Sequence, residues 1–213
     1  MAKFSILFLL IVGLNFCSFG QNNKQRRDIQ FYFDNLPDTC FYLCDWRAFE
    51  EELHGKKVID IRNGFMSFKF DGGVSDHFQI ALFRGTNDKD IIAVSTRECE
   101  VPNCFNPTSF FFLYEDGNWI EADTFLLPEI TIELFYDDPL NSKLANKYKS
   151  FFDYDYLLPR YGTEIKIELS ICDYLQFDHP EVTDQQYDQL IQEWKPVYLK
   201  WEKSSNQFKL KTP

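Results

Sequence analysis

The sequence predicts a β-rich α+β domain: an antiparallel meander or barrel-like sheet of about nine or ten strands with two or three helices. Three observations carry this. Successive runs from Lys57 onward alternate apolar and polar residues with period two, the pattern of half-buried strands. Short polar turns join these runs without intervening helices, which argues against a parallel α/β sheet. The 213 residues are 45% hydrophobic and 18% aromatic, with 23 Phe, enough bulk for one core in one domain.

The elements follow in order. Residues 21–28 are polar and expected to be disordered. Ile29 to Phe33 reads as a helical turn ended by Leu36-Pro37-Asp38. A helix is expected from Trp46 to His54, capped by Asp45 and stopped by Gly55, with Trp46, Phe49 and Leu53 on one face. Strands are expected around Val58–Ile61 and Phe65–Phe70, then at His77–Arg84 and Asp90–Thr96 across a polar loop. Ser109–Glu115 and Asn118–Ala122 form a hairpin through Asp116-Gly117, because Gly adopts positive φ without steric cost. Glu129–Tyr136 has strand alternation, and Asp137-Asp138-Pro139 stops it.

Residues 140–162 are ambiguous, with helical spacing at Leu144, Tyr148, Phe151 and Phe152. Glu164–Ser170 alternates again. Thr183 and Gln186 make a capping box, and Tyr187, Leu190, Ile191 and Trp194 form the apolar face of the helix that follows. Pro196 ends that helix. Val197–Glu202 and Gln207–Lys211 pair as a final hairpin. No linker or low-complexity run divides residues 21–213, so they are read as a single domain.

Residues 1–20 have the order of a secretory signal peptide. A basic start at Lys3 precedes a thirteen-residue, largely apolar run from Phe4 to Phe16, and Ser18-Phe19-Gly20 precedes a cleavage point at Gln21. The run is short for a membrane span, which takes about 20 residues. Lipidation at Cys17 and an uncleaved anchor remain the alternatives. Cleavage would remove one cation and no acid. The mature chain then has 21 Lys and Arg against 33 Asp and Glu, and its charge moves from −11 to −12. That charge argues against nucleic-acid binding.

An exported chain meets oxidising conditions, so the cysteines are read first as disulfide candidates: Cys99 with Cys104 around a Pro102-Asn103 turn, and Cys40 with Cys44 or across to that loop. Cys172 is left as a buried thiol. A zinc site built from the four paired cysteines is the alternative. The predicted localisation is periplasmic, outer-membrane-associated or secreted.

Catalytic motifs are scarce. His54, His77 and His179 have no metal-ligand spacing, no nucleophile elbow appears, and Asp71-Gly72-Gly73 lacks the residues of a phosphate loop. Neither a cofactor nor a metal is expected. Glu121, Glu133 and Glu168 are candidates for a hydrolytic carboxylate pair. Trp119 and Trp201 lie beside hairpin turns, and Tyr154, Asp155 and Tyr156 occupy an irregular stretch. The four aromatic residues are the preferred contact candidates, since Trp and Tyr stack on sugar rings or partner side chains.

The signal ending Ser18-Phe19-Gly20 before Gln21 and the Asp116-Gly117-Asn118-Trp119 hairpin resemble small exported envelope proteins of diderm bacteria. This resemblance covers layout and implies no functional residues. The expectation is a non-catalytic exported protein that binds a protein or polysaccharide. A carboxylate hydrolase acting on glycan or peptide, and an inhibitor or immunity partner of a secreted enzyme, are the alternatives.

Overall fold

Two antiparallel sheets organise the chain in a computed structural model that describes residues 26–41, 56–71, 75–86, 89–100, 103–172 and 174–211. The first sheet is a meander: β1 (Lys56–Asp60), β2 (Phe65–Asp71), β3 (Ser75–Arg84), β4 (Asp90–Glu100), β5 (Asn103–Glu115) and β6 (Asn118–Glu121), each paired with the next. The second contains β7 (Phe152–Leu157), β8 (Glu164–Ile171), β9 (Val197–Glu202) and β10 (Gln207–Leu210), in the order β10-β9-β8-β7.

The β-rich α+β class and its ten antiparallel strands match the expectation. The single barrel-like sheet does not, because β1 and β6 remain the two ends of an open sheet and the last four strands form a separate one. Five α-helices occur among the described residues, more than the two or three expected: α1 (Ile29–Asp34), α2 (Asp123–Leu126), α3 (Pro139–Lys147), α4 (Leu175–Asp178) and α5 (Asp184–Gln192). None is long and apolar enough to cross a membrane. The expected helix at 46–54 and the leader at 1–20 lie outside the described residues.

Strand parity explains why two layers cover the first sheet. Phe65, Ala81, Phe83, Ile91, Ala93, Phe111 and Leu113 point to one face and join Ile165, Ile167, Val197, Leu199 and Phe208 in a core between the sheets. Met66, Phe68, Phe78, Ile80, Ile92, Val94 and Phe112 occupy alternate positions and face the other way, onto Ile29, Tyr32, Phe33 and Leu36 of the α1 region. The central strands are therefore apolar on both faces, which alternation alone does not reveal.

Polar contacts fix this packing. The Tyr32 hydroxyl donates to Asp90 Oδ2 at 2.5 Å, and Arg84 Nη1 reaches the same oxygen at 2.5 Å. Burial together with Asp90 pushes the Tyr32 phenol well above its ordinary range. Asn206 ties the turn of the β9–β10 hairpin to the first sheet. Its Oδ1 accepts from Thr86 N at 2.9 Å and its Nδ2 donates to Thr86 Oγ1 at 2.9 Å. A Cβ on Gly85 would lie 2.5 Å from Asn206 Oδ1 and 2.6 Å from Lys89 O, so this close approach needs glycine.

Local signals hold where backbone chemistry decides them. Asp116 (φ 51°) and Gly117 (φ 90°) make the β5–β6 turn with positive φ at both positions. Thr183 and Gln186 form the capping box that opens α5. The expected strand at 129–136 is corrected to a 3-10 turn over Ile132–Phe135, because Ile132 and Phe135, three apart, both enter the core. The ambiguous stretch resolves into α3, a 3-10 turn at Lys149–Phe151, and β7.

Tyr32→Phe should lower unfolding free energy by about 1.5–3 kcal/mol, the range for a hydrogen bond to a charged group. A urea titration with unchanged slope would read it directly. An unchanged midpoint would mean that this bond does not hold α1 to the sheet.

Candidate functional site: a polar corner between the sheets

The inner face of the first sheet changes character toward the end of the sheet where β4 runs on into β5. Register places residues in rows across the strands, and directly opposed residues share a face. One row is Asp60, Phe65, Ala81, Ala93 and Phe111, the margin of the apolar core. The next is Val58, Ser67, Gln79, Ser95 and Ser109, and the one beyond is Lys56, Lys69, His77, Arg97 and Pro107. An apolar row thus gives way to a hydroxyl and amide row, and that to a basic one.

The chain from β7 onward crosses these rows diagonally. Asp155 forms an ion pair with Arg97 Nη2, Leu158 N donates to Gln79 Oε1 at 3.0 Å, and Arg160 Nε binds Asp60 Oδ2 at 2.9 Å. Tyr156 packs its edge against Phe111, with ring centroids 5.5 Å apart. On one side of this diagonal lies the core. On the other, Lys56 and Lys69 are exposed and His77 is half-buried.

Several buried atoms in this corner lack a hydrogen-bond partner: Ser95 Oγ, Ser109 Oγ, His77 Nε2 and Asp155 Oδ1. Ser95 is 0% and Asp155 1% exposed. Buried polar atoms are ordinarily paired, so four in one place call for water or a ligand. Burial, with Arg97 and then Lys69 nearby, depresses His77 from 6.5 to about 4 and keeps the imidazole neutral at physiological pH. Burial also raises the Asp153 carboxyl, two residues before Asp155 on β7.

The aromatic residues marked by sequence do not converge. Trp201 is 6% exposed, packs on Phe208 with centroids 5.0 Å apart, and donates its indole N–H to Arg84 O at 3.2 Å. Trp119 is half-buried with its edge toward Tyr114 at 4.9 Å, on the α1 side of the sheet. Tyr154 stacks on Phe135 at 5.5 Å, and burial pushes Tyr156 up to about 12. The stretch containing these tyrosines is regular strand, and the carboxylate between them, Asp155, is the residue that reaches the polar corner.

Among the cysteines, Cys99 and Cys104 are register partners across β4 and β5. Cys40 is buried in the α1-side core, and Cys44 lies outside the described residues. Cys172 is half-buried where full burial was expected.

The acidic candidates are also dispersed in their bonding. Glu168 pairs with Lys166, Glu133 accepts from Asn146 at 2.7 Å, and Glu121 ends the edge strand β6. A groove of about 290 Å³ between α2 and β10 is lined by Phe125, Leu126, Leu127, Pro128, Phe208 and Leu210, and it offers no acid or base pair. Ser95, Arg97 and Ser109 were not among the residues the sequence marked, and His77 stood there only as a histidine without metal-ligand spacing. Their trace was parity: Ser95 and Ser109 stand two residues from Ala93 and Phe111, polar residues at inward positions.

No protein-family description matches the chain, and no curated protein does. A solved structure of a domain of an uncharacterized protein from Porphyromonas gingivalis W83 is similar, with a TM-score of 0.56 at 12% identity over 87% of this chain and 98% of that one. That similarity extends to the fold.

Two expectations test the corner. Arg97→Met should cost about 3–5 kcal/mol by stranding the Asp155 charge, whereas Arg97→Met with Asp155→Leu should recover most of it. Chemical denaturation of the three proteins decides between this and a surface pair of little consequence. His77 also makes stability depend on pH. The unfolded imidazole binds a proton near 6.5 and the folded one only near 4, so this contribution is complete above 6.5 and is lost as pH falls from 6.5 toward 4. His77→Gln should flatten the thermal-melt profile in that window; an unaltered profile would show that His77 titrates normally.

Proposed function

We propose that the protein is a non-catalytic, exported binding protein whose polar corner recognises another macromolecule. The observation that carries this reading is the group of buried, unpartnered hydrogen-bonding atoms at Ser95, Ser109, His77 and Asp155. They lie beside an exposed basic margin rather than within a closed core. Recognition surfaces are built this way, with fixed polar groups on rigid strands aimed where a ligand's donors and acceptors arrive.

Catalysis has less support. Acid–base chemistry needs two titratable groups within hydrogen-bond reach of one reacting atom. Arg97 already neutralises Asp155 here, and His77 Nε2 has no hydrogen-bond partner to orient it as a base. The carboxylates Glu121, Glu133 and Glu168 have separate partners or positions.

The test pairs turnover with binding. Protein lacking residues 1–20 is screened against glycan and peptide substrates for hydrolysis, and against immobilised polysaccharides and proteins for saturable binding. No turnover, together with saturable binding weakened by a Ser95→Ala, Ser109→Ala double substitution, is the expected result. Turnover abolished by changing one carboxylate would overturn the reading in favour of a hydrolase.

A further inference from the structure

We infer that the basic row Lys56–Lys69–His77–Arg97, with the hydroxyls of Ser67, Ser95 and Ser109 beside it, recognises an oxyanion: a phosphate or sulfate group, free or carried as an ester on a polysaccharide. The inference deepens the proposed function by naming the ligand chemistry of the same corner, and it rests on that reading.

Four observations meet at this margin. First, the row is basic on a chain of net charge −11, its net charge coming from Lys56 and Lys69, since His77 is neutral and Asp155 balances Arg97. Its four positions come from four successive strands, β1 to β4, on one face. At about 4.8 Å per strand they span roughly 14 Å, longer than a single ion and suited to an extended polyanion.

Second, hydroxyls lie one row inward. Ser67, Ser95 and Ser109 are on the same face, and the last two have unpartnered Oγ atoms. Hydroxyls and an imidazole N–H donate to anionic oxygens, and charge-assisted bonds of this kind are the stronger ones.

Third, among the described residues the charges facing His77 are Lys69 from β2 and Arg97 from β4, the residues opposite it on either side. Asp155 from β7 balances Arg97 from the core side. An anion therefore has its favourable position on the outer side, between Lys69 and His77, away from the carboxylate. Fourth, the diagonal of β7 and Leu158–Arg160 stops short of this margin, leaving Lys56 and Lys69 exposed.

His77 is the built-in reporter. Burial, and then the cations Arg97 and Lys69, disfavour the imidazolium, and a bound oxyanion would offset the cations' part. The experiment follows the His77 ring by NMR across pH in the full mature chain, in chloride and in sodium sulfate at matched ionic strength. Sulfate should raise the His77 midpoint by at least about half a unit. Lys56→Gln with Lys69→Gln should abolish the shift, while the distant Lys203→Gln should leave it.

Two further arms separate the sources. Dextran sulfate binding about tenfold or more tightly than free sulfate identifies an ester on an extended chain, and equal affinity per sulfate identifies the free ion. A His77 midpoint indifferent to sulfate, or a shift that survives the double substitution, overturns the inference. If uncharged dextran or a protein still binds in a manner sensitive to Ser95 and Ser109, the binding function stands and only the oxyanion assignment falls. Loss of all binding removes both.

Discussion

Strands β3, β4 and β5 carry large apolar side chains on both faces, and the molecule is arranged to cover both. Phe83, Ile91 and Phe111 need one layer; Phe78, Ile92 and Phe112 need another. The four-stranded sheet supplies the first and α1 the second. Burying a Phe or Ile fully contributes about 1.5–3 kcal/mol by transfer from water, so an uncovered face would cost many such increments. The Tyr32–Asp90–Arg84 contact and the Asn206–Thr86 contact are then placement devices, one for each covering layer.

The polar corner follows from the same constraint. The second sheet has only four strands against six, and its edge strand β7 crosses the first sheet obliquely. Along that crossing, residues of identical strand parity meet different surroundings. Phe111 meets Tyr156, Arg97 meets Asp155, and Lys69 is exposed. The gradient from core to charge across three rows places a partly buried ion pair next to unpartnered hydroxyls. Such a pair adds little net stability, since desolvation offsets the Coulomb attraction, yet it holds β7 to one position on β4.

The corner was hard to read from sequence because its members are distant in the chain. His77 and Arg97 are opposed only through the β3–β4 register, and Asp155 arrives from another sheet. Polar residues at inward positions, Gln79, Ser95 and Ser109, were visible as breaks in an apolar pattern, but parity alone does not separate an inward face from an outward one when both are apolar nearby. Trp and Tyr beside turns were the more conspicuous feature, and Trp201 shows why that cue is weak: a large ring next to a turn fills the core as readily as it faces a ligand.

What the sequence determined by itself was local. Turn chemistry at Asp116-Gly117, the capping box at Thr183, the final hairpin and the strands at 77–84 and 90–96 depend on neighbouring residues and backbone preference, and each appears where the pattern put it. The antiparallel, β-rich class followed from the short polar connections. Tertiary structure alone decided the division into two sheets, the two-faced burial of β3 to β5, the 3-10 turn at 132–135 and the meeting of His77, Ser95, Arg97, Ser109 and Asp155. These depend on contacts between segments far apart in sequence, where the free energy comes from area removed from water and from charges brought together, quantities that no window of adjacent residues contains.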